Sequence, residues 1–91
     1  MKTNNNKLIL TNSAKNYFKT LSVDVTNNAC GAVYMHGSMR NVTAAISKIL
    51  QINPGVEVGK LETALIKVVD ETTAIVDACV CFTGGTLKDD E

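Results

Sequence analysis

Apolar positions along the chain change period several times, and each change marks an element. Residues 7–11 carry Leu8, Ile9 and Leu10 in a short β-type run. Asn12 and Ser13 follow as helix N-caps. Ala14, Tyr17, Phe18, Leu21 and Val25 then recur at helical spacing, with Lys15, Asn16, Lys19 and Thr20 facing elsewhere. Ser22 to Thr26 is β-branched, so the helix is expected to fray there, and Asn27-Asn28 reads as a turn. Residues 31–36 are almost continuously apolar, the pattern of a strand buried on both faces. Gly37 and Ser38 break that run. Asn41 can cap a second helix whose apolar face is Val42, Ala45, Ile46, Ile49 and Leu50, and Asn53-Pro54-Gly55 stops it. Residues 58–69 and 73–83 form the arms of a hairpin about Asp70-Glu71-Thr72, with Gly59 marking a bulge or bend. Residues 84–91 are polar and are expected to be a mobile tail.

These elements make an α+β fold of order β-α-β-α-β-β. The expected architecture is a two-layer sandwich, two helices on a mixed four-stranded sheet, its other face left to solvent or a partner. All 91 residues form one domain, with an ordered core of about residues 7–83. A chain this short buries a modest share of its surface, which favours dimerisation.

Composition narrows the setting. No apolar run is long enough to span a bilayer, and Leu8 to Leu10 is too short for a signal-peptide core. The expected location is the cytoplasm, or the nucleus if the source is eukaryotic. The three cysteines, Cys30, Cys79 and Cys81, are odd in number, which argues against a disulfide framework. Cys79 and Cys81 lie in an apolar stretch and read as small core hydrophobes. The formal net charge of zero hides an asymmetry. Residues 1–50 hold six cations against Asp24 alone, and residues 51–91 hold three cations against eight acids.

Candidate chemistry is sparse. A single histidine, His36, supports neither a metal cluster nor a catalytic dyad. Gly37-Ser38 has neither the glycine pattern of a nucleophile elbow nor the Gly-Lys-Ser/Thr ending of a phosphate loop. Neither an enzyme nor a cofactor is expected. The helix starts offer more. Free N–H groups at a helix N-terminus favour phosphate, and the second start adds Gly37, Ser38, Arg40 and Asn41. The first start adds Lys15 and Asn16, with Lys19 one turn on. If both starts follow parallel strands, they share one edge.

Three local strings then resemble the Alba family of small DNA- and RNA-binding proteins. They are Ile9-Leu10-Thr11-Asn12-Ser13-Ala14-Lys15-Asn16-Tyr17, Val33-Tyr34-Met35-His36-Gly37, and Val42 through Leu50. The resemblance spans about residues 7–83. It implies a homodimer binding RNA or DNA without sequence specificity, through Lys15 at the first helix start and Gly37 and Arg40 in the glycine loop. It also guides the expected dimer face, which is the second helix with the hairpin, including Ala44, Ala45 and Ile49. The chain departs from the family in having one basic residue, Lys15, where a pair is usual, and an acidic hairpin tip. These departures point to modest, salt-sensitive binding. The alternatives are a protein-interaction or oligomeric subunit without nucleic-acid affinity, and a small enzyme or ligand-binding subunit holding an anionic metabolite at the Gly37 loop.

Overall fold

The computed structural model describes residues 8–27, 32–84 and 87–89. Its elements run β1 (Leu8–Leu10), α1 (Asn12–Thr20), β2 (Asp24–Asn27), β3 (Ala32–Ser38), α2 (Met39–Ile52), β4 (Glu57–Asp70), β5 (Thr73–Thr83) and β6 (Leu87–Asp89). The fold is α+β, with two helices and an open four-stranded sheet of order β2-β3-β5-β4.

That sheet is antiparallel throughout, not mixed. The reason lies at residues 21–27. Helix α1 ends at Thr20, and the chain reverses through Ser22, which takes a left-handed φ of 57°. Val25 and Thr26 are β-branched and belong to a strand rather than to a fraying helix. As β2 they fold back on β3, Val25 opposite Met35 and Thr26 opposite Tyr34. Both sides of β3 are thereby occupied, by β2 and β5. Strand β1 instead pairs in parallel with β6, a segment expected in the mobile tail. The start of the second expected strand at Gly31, the turn residue Asn28 and Cys30 lie outside the described residues.

The helices cap differently from the sequence expectation. Thr11, not Asn12 or Ser13, caps α1: its Oγ1 accepts from the Ala14 N–H at 3.0 Å. Ser38, not Asn41, caps α2, accepting from the Asn41 N–H at 3.2 Å. In each case the capping hydroxyl meets an N–H three residues on that has no carbonyl partner within the helix.

One side of the sheet carries the core. Ala14 and Phe18 of α1 and Val42, Ala45 and Ile49 of α2 pack with Val33 and Met35 of β3, with Val76, Ala78, Val80 and Phe82 of β5, and with Leu8 and Leu10. The other side is open, so β3 alternates instead of being buried on both faces. Tyr34 is 47% exposed, and His36 is exposed beside it. Cys79 and Cys81 of β5 fall on this open face, half-buried rather than in the core, because Ala78, Val80 and Phe82 take the inward positions.

Candidate nucleic-acid interface

The relative placement of the two helices decides which candidate residues can act together. The Asn41 side-chain amide donates to the Leu21 carbonyl at 2.9 Å, fastening the first turn of α2 to the end of α1. Further along, the Lys48 ammonium stands 5.3 Å from the centre of the Tyr17 ring, a cation–π separation. The helices therefore run side by side in opposite senses. Their starts lie at opposite ends of the pair, not on one edge. The physical cause is β2: with the chain reversed at Ser22, the end of α1 is brought to the start of α2.

This splits the expected site. Lys19 in the last turn of α1 and Arg40 in the first turn of α2 stand at the joined end, both exposed. Lys15, half-buried, and Asn16, exposed, lie toward the other end of α1, a helix about 13 Å long at ~1.5 Å per residue. Ser38 and Asn41 serve the fold, one as a cap and one as the tie to Leu21. Gly37 is buried. A Cβ there would stand 3.0 Å from Val23 Cγ2 and 3.2 Å from the Ser22 carbonyl oxygen. The backbone that approaches this glycine is the protein's own turn, so Gly37 serves packing and not ligand approach.

The dimer residues are corrected by the same geometry. Ala45 and Ile49 are 0% exposed within one chain, wedged between α2 and the sheet, and cannot form a surface for a second copy. Ala44 is half-buried and lines a shallow groove with Tyr17, Ser47, Lys48 and Gln51.

Helices α1 and α2 share a property that single motifs do not reveal. Their charged residues are Lys15, Lys19, Arg40 and Lys48, with no Asp or Glu in either helix. The open face of the sheet is mixed, with Lys60 and Lys67 beside several acids. Asp24, Glu62 and Asp77 line a depression of about 500 Å³ there with Tyr34 and His36. His36 Nδ1 lies 2.5 Å from Asp77 Oδ1, and Asp24 stands opposite His36 in the strand register. Among the described residues no three His, Cys, Asp or Glu side chains converge as metal ligands would.

Two cations escaped the sequence reading as site residues. Lys48 belongs to the basic helical layer. Lys67 of β4 lines a hollow with Leu21, Ser38 and Asn41 at the joined end of the helices. The acid-free composition of residues 12–20 and 39–52 was the available signal for Lys48. Lys67 reaches its place only through the hairpin register.

At the hairpin tip, the Asp70 carboxylate accepts from the Thr72 N–H at 2.8 Å and the Thr72 hydroxyl at 2.9 Å. The backbone N–H, and then the hydroxyl, hold its pKa below the ordinary carboxylate value. No helix of the described residues is long and apolar enough to cross a membrane. No model of a known protein family, no curated protein and no solved structure matches the chain.

Proposed function

We propose that this protein binds the phosphate backbone of RNA or DNA, without sequence specificity, through its helical layer. One observation carries the reading: every charged side chain in the two helices is a cation, while the opposite face of the sheet gathers Asp24, Glu62 and Asp77. A polyanion is attracted to the acid-free first surface, whereas on the second the acids stand among Lys60 and Lys67. Lys19 and Arg40 stand together at the joined end, and Lys15 and Lys48 extend the basic surface along the helices. Base-specific readout has no support here, since Tyr17 lies beneath the Lys48 ammonium and Phe18 is in the core.

The test is fluorescence polarisation against single-stranded RNA and duplex DNA across a salt series. Each neutralised phosphate contributes about 0.7 to the log–log salt slope for single strands and about 0.9 for duplex DNA. Reversing Lys19 and Arg40 to Glu is expected to abolish most binding and flatten the slope. Lys60→Glu on the opposite sheet face, where Lys60 already pairs with Glu62 at 3.4 Å, is expected to leave it unchanged. A folded protein that binds neither polymer at low salt refutes the reading.

A further inference from the structure

Strand register explains the depression of about 500 Å³ on the open face of the sheet. Directly paired residues on neighbouring strands share a face, and here they form two rows. Asp24, His36, Asp77 and Ala64 make the first, running from β2 through β3 and β5 to β4. Thr26, Tyr34, Cys79 and Glu62 make the second. The small side chains of Thr26, Cys79 and Ala64 create the hollow, and the larger ones stand round it. Tyr34 lies between Thr26 and Cys79, and small neighbours leave its ring open: the residue is 47% exposed. Asp24 and Asp77 are each diagonal to Tyr34, and Glu62 is diagonal to Asp77. Diagonal neighbours stand roughly 7–8 Å apart.

Charge is the first property that selects a ligand. The lining holds Asp24, Glu62 and Asp77, and neither Lys nor Arg. Lys60 and Lys67 share the face but stand outside the hollow. Lys60 reaches Glu62 at 3.4 Å, an exposed pair that contributes little and is readily exchanged. His36 engages one oxygen of Asp77, and a carboxylate has a second to offer.

The spread of the carboxylates is the second property. Asp24 on β2 and Glu62 on β4 are separated by three strand spacings, about 14 Å at ~4.8 Å each. No three His, Cys, Asp or Glu side chains of the described residues converge as metal ligands would, so the hollow does not grip a compact ion. It suits an elongated cation with a flat head. A guanidinium stacks on an aromatic face and donates to carboxylates in a fixed fork. Stacked on Tyr34, it has Asp24 to one side and Asp77 to the other. In an extended segment a second arginine two residues on stands ~7 Å away, which matches the diagonal step from Asp77 to Glu62.

We propose that this depression docks an extended, arginine-bearing segment of a partner protein, with one guanidinium stacked on Tyr34 between Asp24 and Asp77 and the next at Glu62. Charge complementarity and the match of spacings identify the occupant. The surface lies across the sheet from the cationic helices. The inference does not rest on nucleic-acid binding, and its test contains no nucleic acid.

The probe is the peptide acetyl-Gly-Arg-Gly-Arg-Gly-amide, titrated into the full chain labelled with nitrogen-15. Saturable binding is expected with a dissociation constant of about a millimolar or below, and amide shifts are expected round Tyr34, His36, Asp77 and Glu62. The same peptide with citrulline in place of arginine keeps the shape and loses the charge, and is expected to bind about tenfold more weakly or worse. A lysine version keeps the charge and loses the planar fork, and is expected to bind about threefold more weakly. Tyr34→Leu keeps apolar bulk without the ring and is expected to weaken the arginine peptide about threefold or more. Asp24→Asn/Asp77→Asn is expected to weaken it about tenfold. All three residues are exposed, so far-ultraviolet circular dichroism of these variants is expected to match the parent. Absence of saturable binding, shifts confined to the helices, or equal binding by the citrulline or lysine peptide would each overturn the proposal. So would free arginine binding as tightly as the peptide, or variants that bind like the parent.

Discussion

Replacing Ile49 by alanine separates a core residue from an interface residue. Ile49 is 0% exposed and sits among Val42, Ala45 and the inward side chains of β3 and β5. The substitution removes three carbon groups, worth about 2.4 kcal/mol at ~0.8 kcal/mol per buried methylene. Incomplete collapse of the space left behind adds roughly 1–2 kcal/mol. The expected loss is therefore about 3.5–4.5 kcal/mol. That is a large part of the roughly 5–14 kcal/mol available to a chain of this size at ~0.05–0.15 kcal/mol per residue. Urea unfolding followed by circular dichroism measures it, and the slope of free energy against urea is expected to stay unchanged while the midpoint falls. Because association would make stability depend on concentration, the melts are run at two protein concentrations. The loss is expected to be the same at both. A loss below about 1 kcal/mol, well under the usual cost of such a truncation, would refute the packing argument. So would one that appears only where the parent is associated.

Two further predictions follow from single positions. Gly37→Ala sets a Cβ against Val23 Cγ2 and the Ser22 carbonyl oxygen and is expected to cost about 1–3 kcal/mol by overpacking; a neutral result in the same urea melts would show that the Ser22 turn yields freely. At the hairpin tip, the folded pKa of Asp70 is lowered by the Thr72 N–H and hydroxyl. The order this carboxylate confers is thus complete above the ordinary carboxylate pKa and is lost as pH falls through the lowered folded value. The Thr72 amide resonance should move in that acidic window and stay fixed in Asp70→Asn, whereas movement above the ordinary carboxylate range would contradict the hydrogen-bond assignment.

Local signals in the chain were enough for both helices and for the β4–β5 hairpin. The stripes of Ala14 and Phe18 and of Val42, Ala45 and Ile49 are period-driven, and their burial follows because a helix has one face to offer the sheet. The hairpin is equally local: residues 70–72 form a short polar turn between two long β-type arms, and Gly59 lies at a bulge, as its place within a strand implied. The cationic character of the helical layer was likewise present in the composition of residues 12–20 and 39–52.

Tertiary structure decided what depended on which strands meet. The β-branched stretch ending at Thr26 is compatible with a frayed helix end or with a strand, and pairing with β3 chose the strand, made the sheet antiparallel and sent β1 to β6. That same reversal set the helices antiparallel and separated Lys15 from Arg40, which no spacing along the chain encodes. Whether Ala45 and Ile49 face the core or a partner is also a question of packing, since an apolar helix face looks the same in either role. Strand β4 is the clearest case. Period-two alternation assigns Val58 and Leu61 to opposite faces, and only the register shift between Val58 and Lys60 against β5 brings them onto one. A bulge is a property of two strands paired, so the surface it creates does not exist until the fold is made.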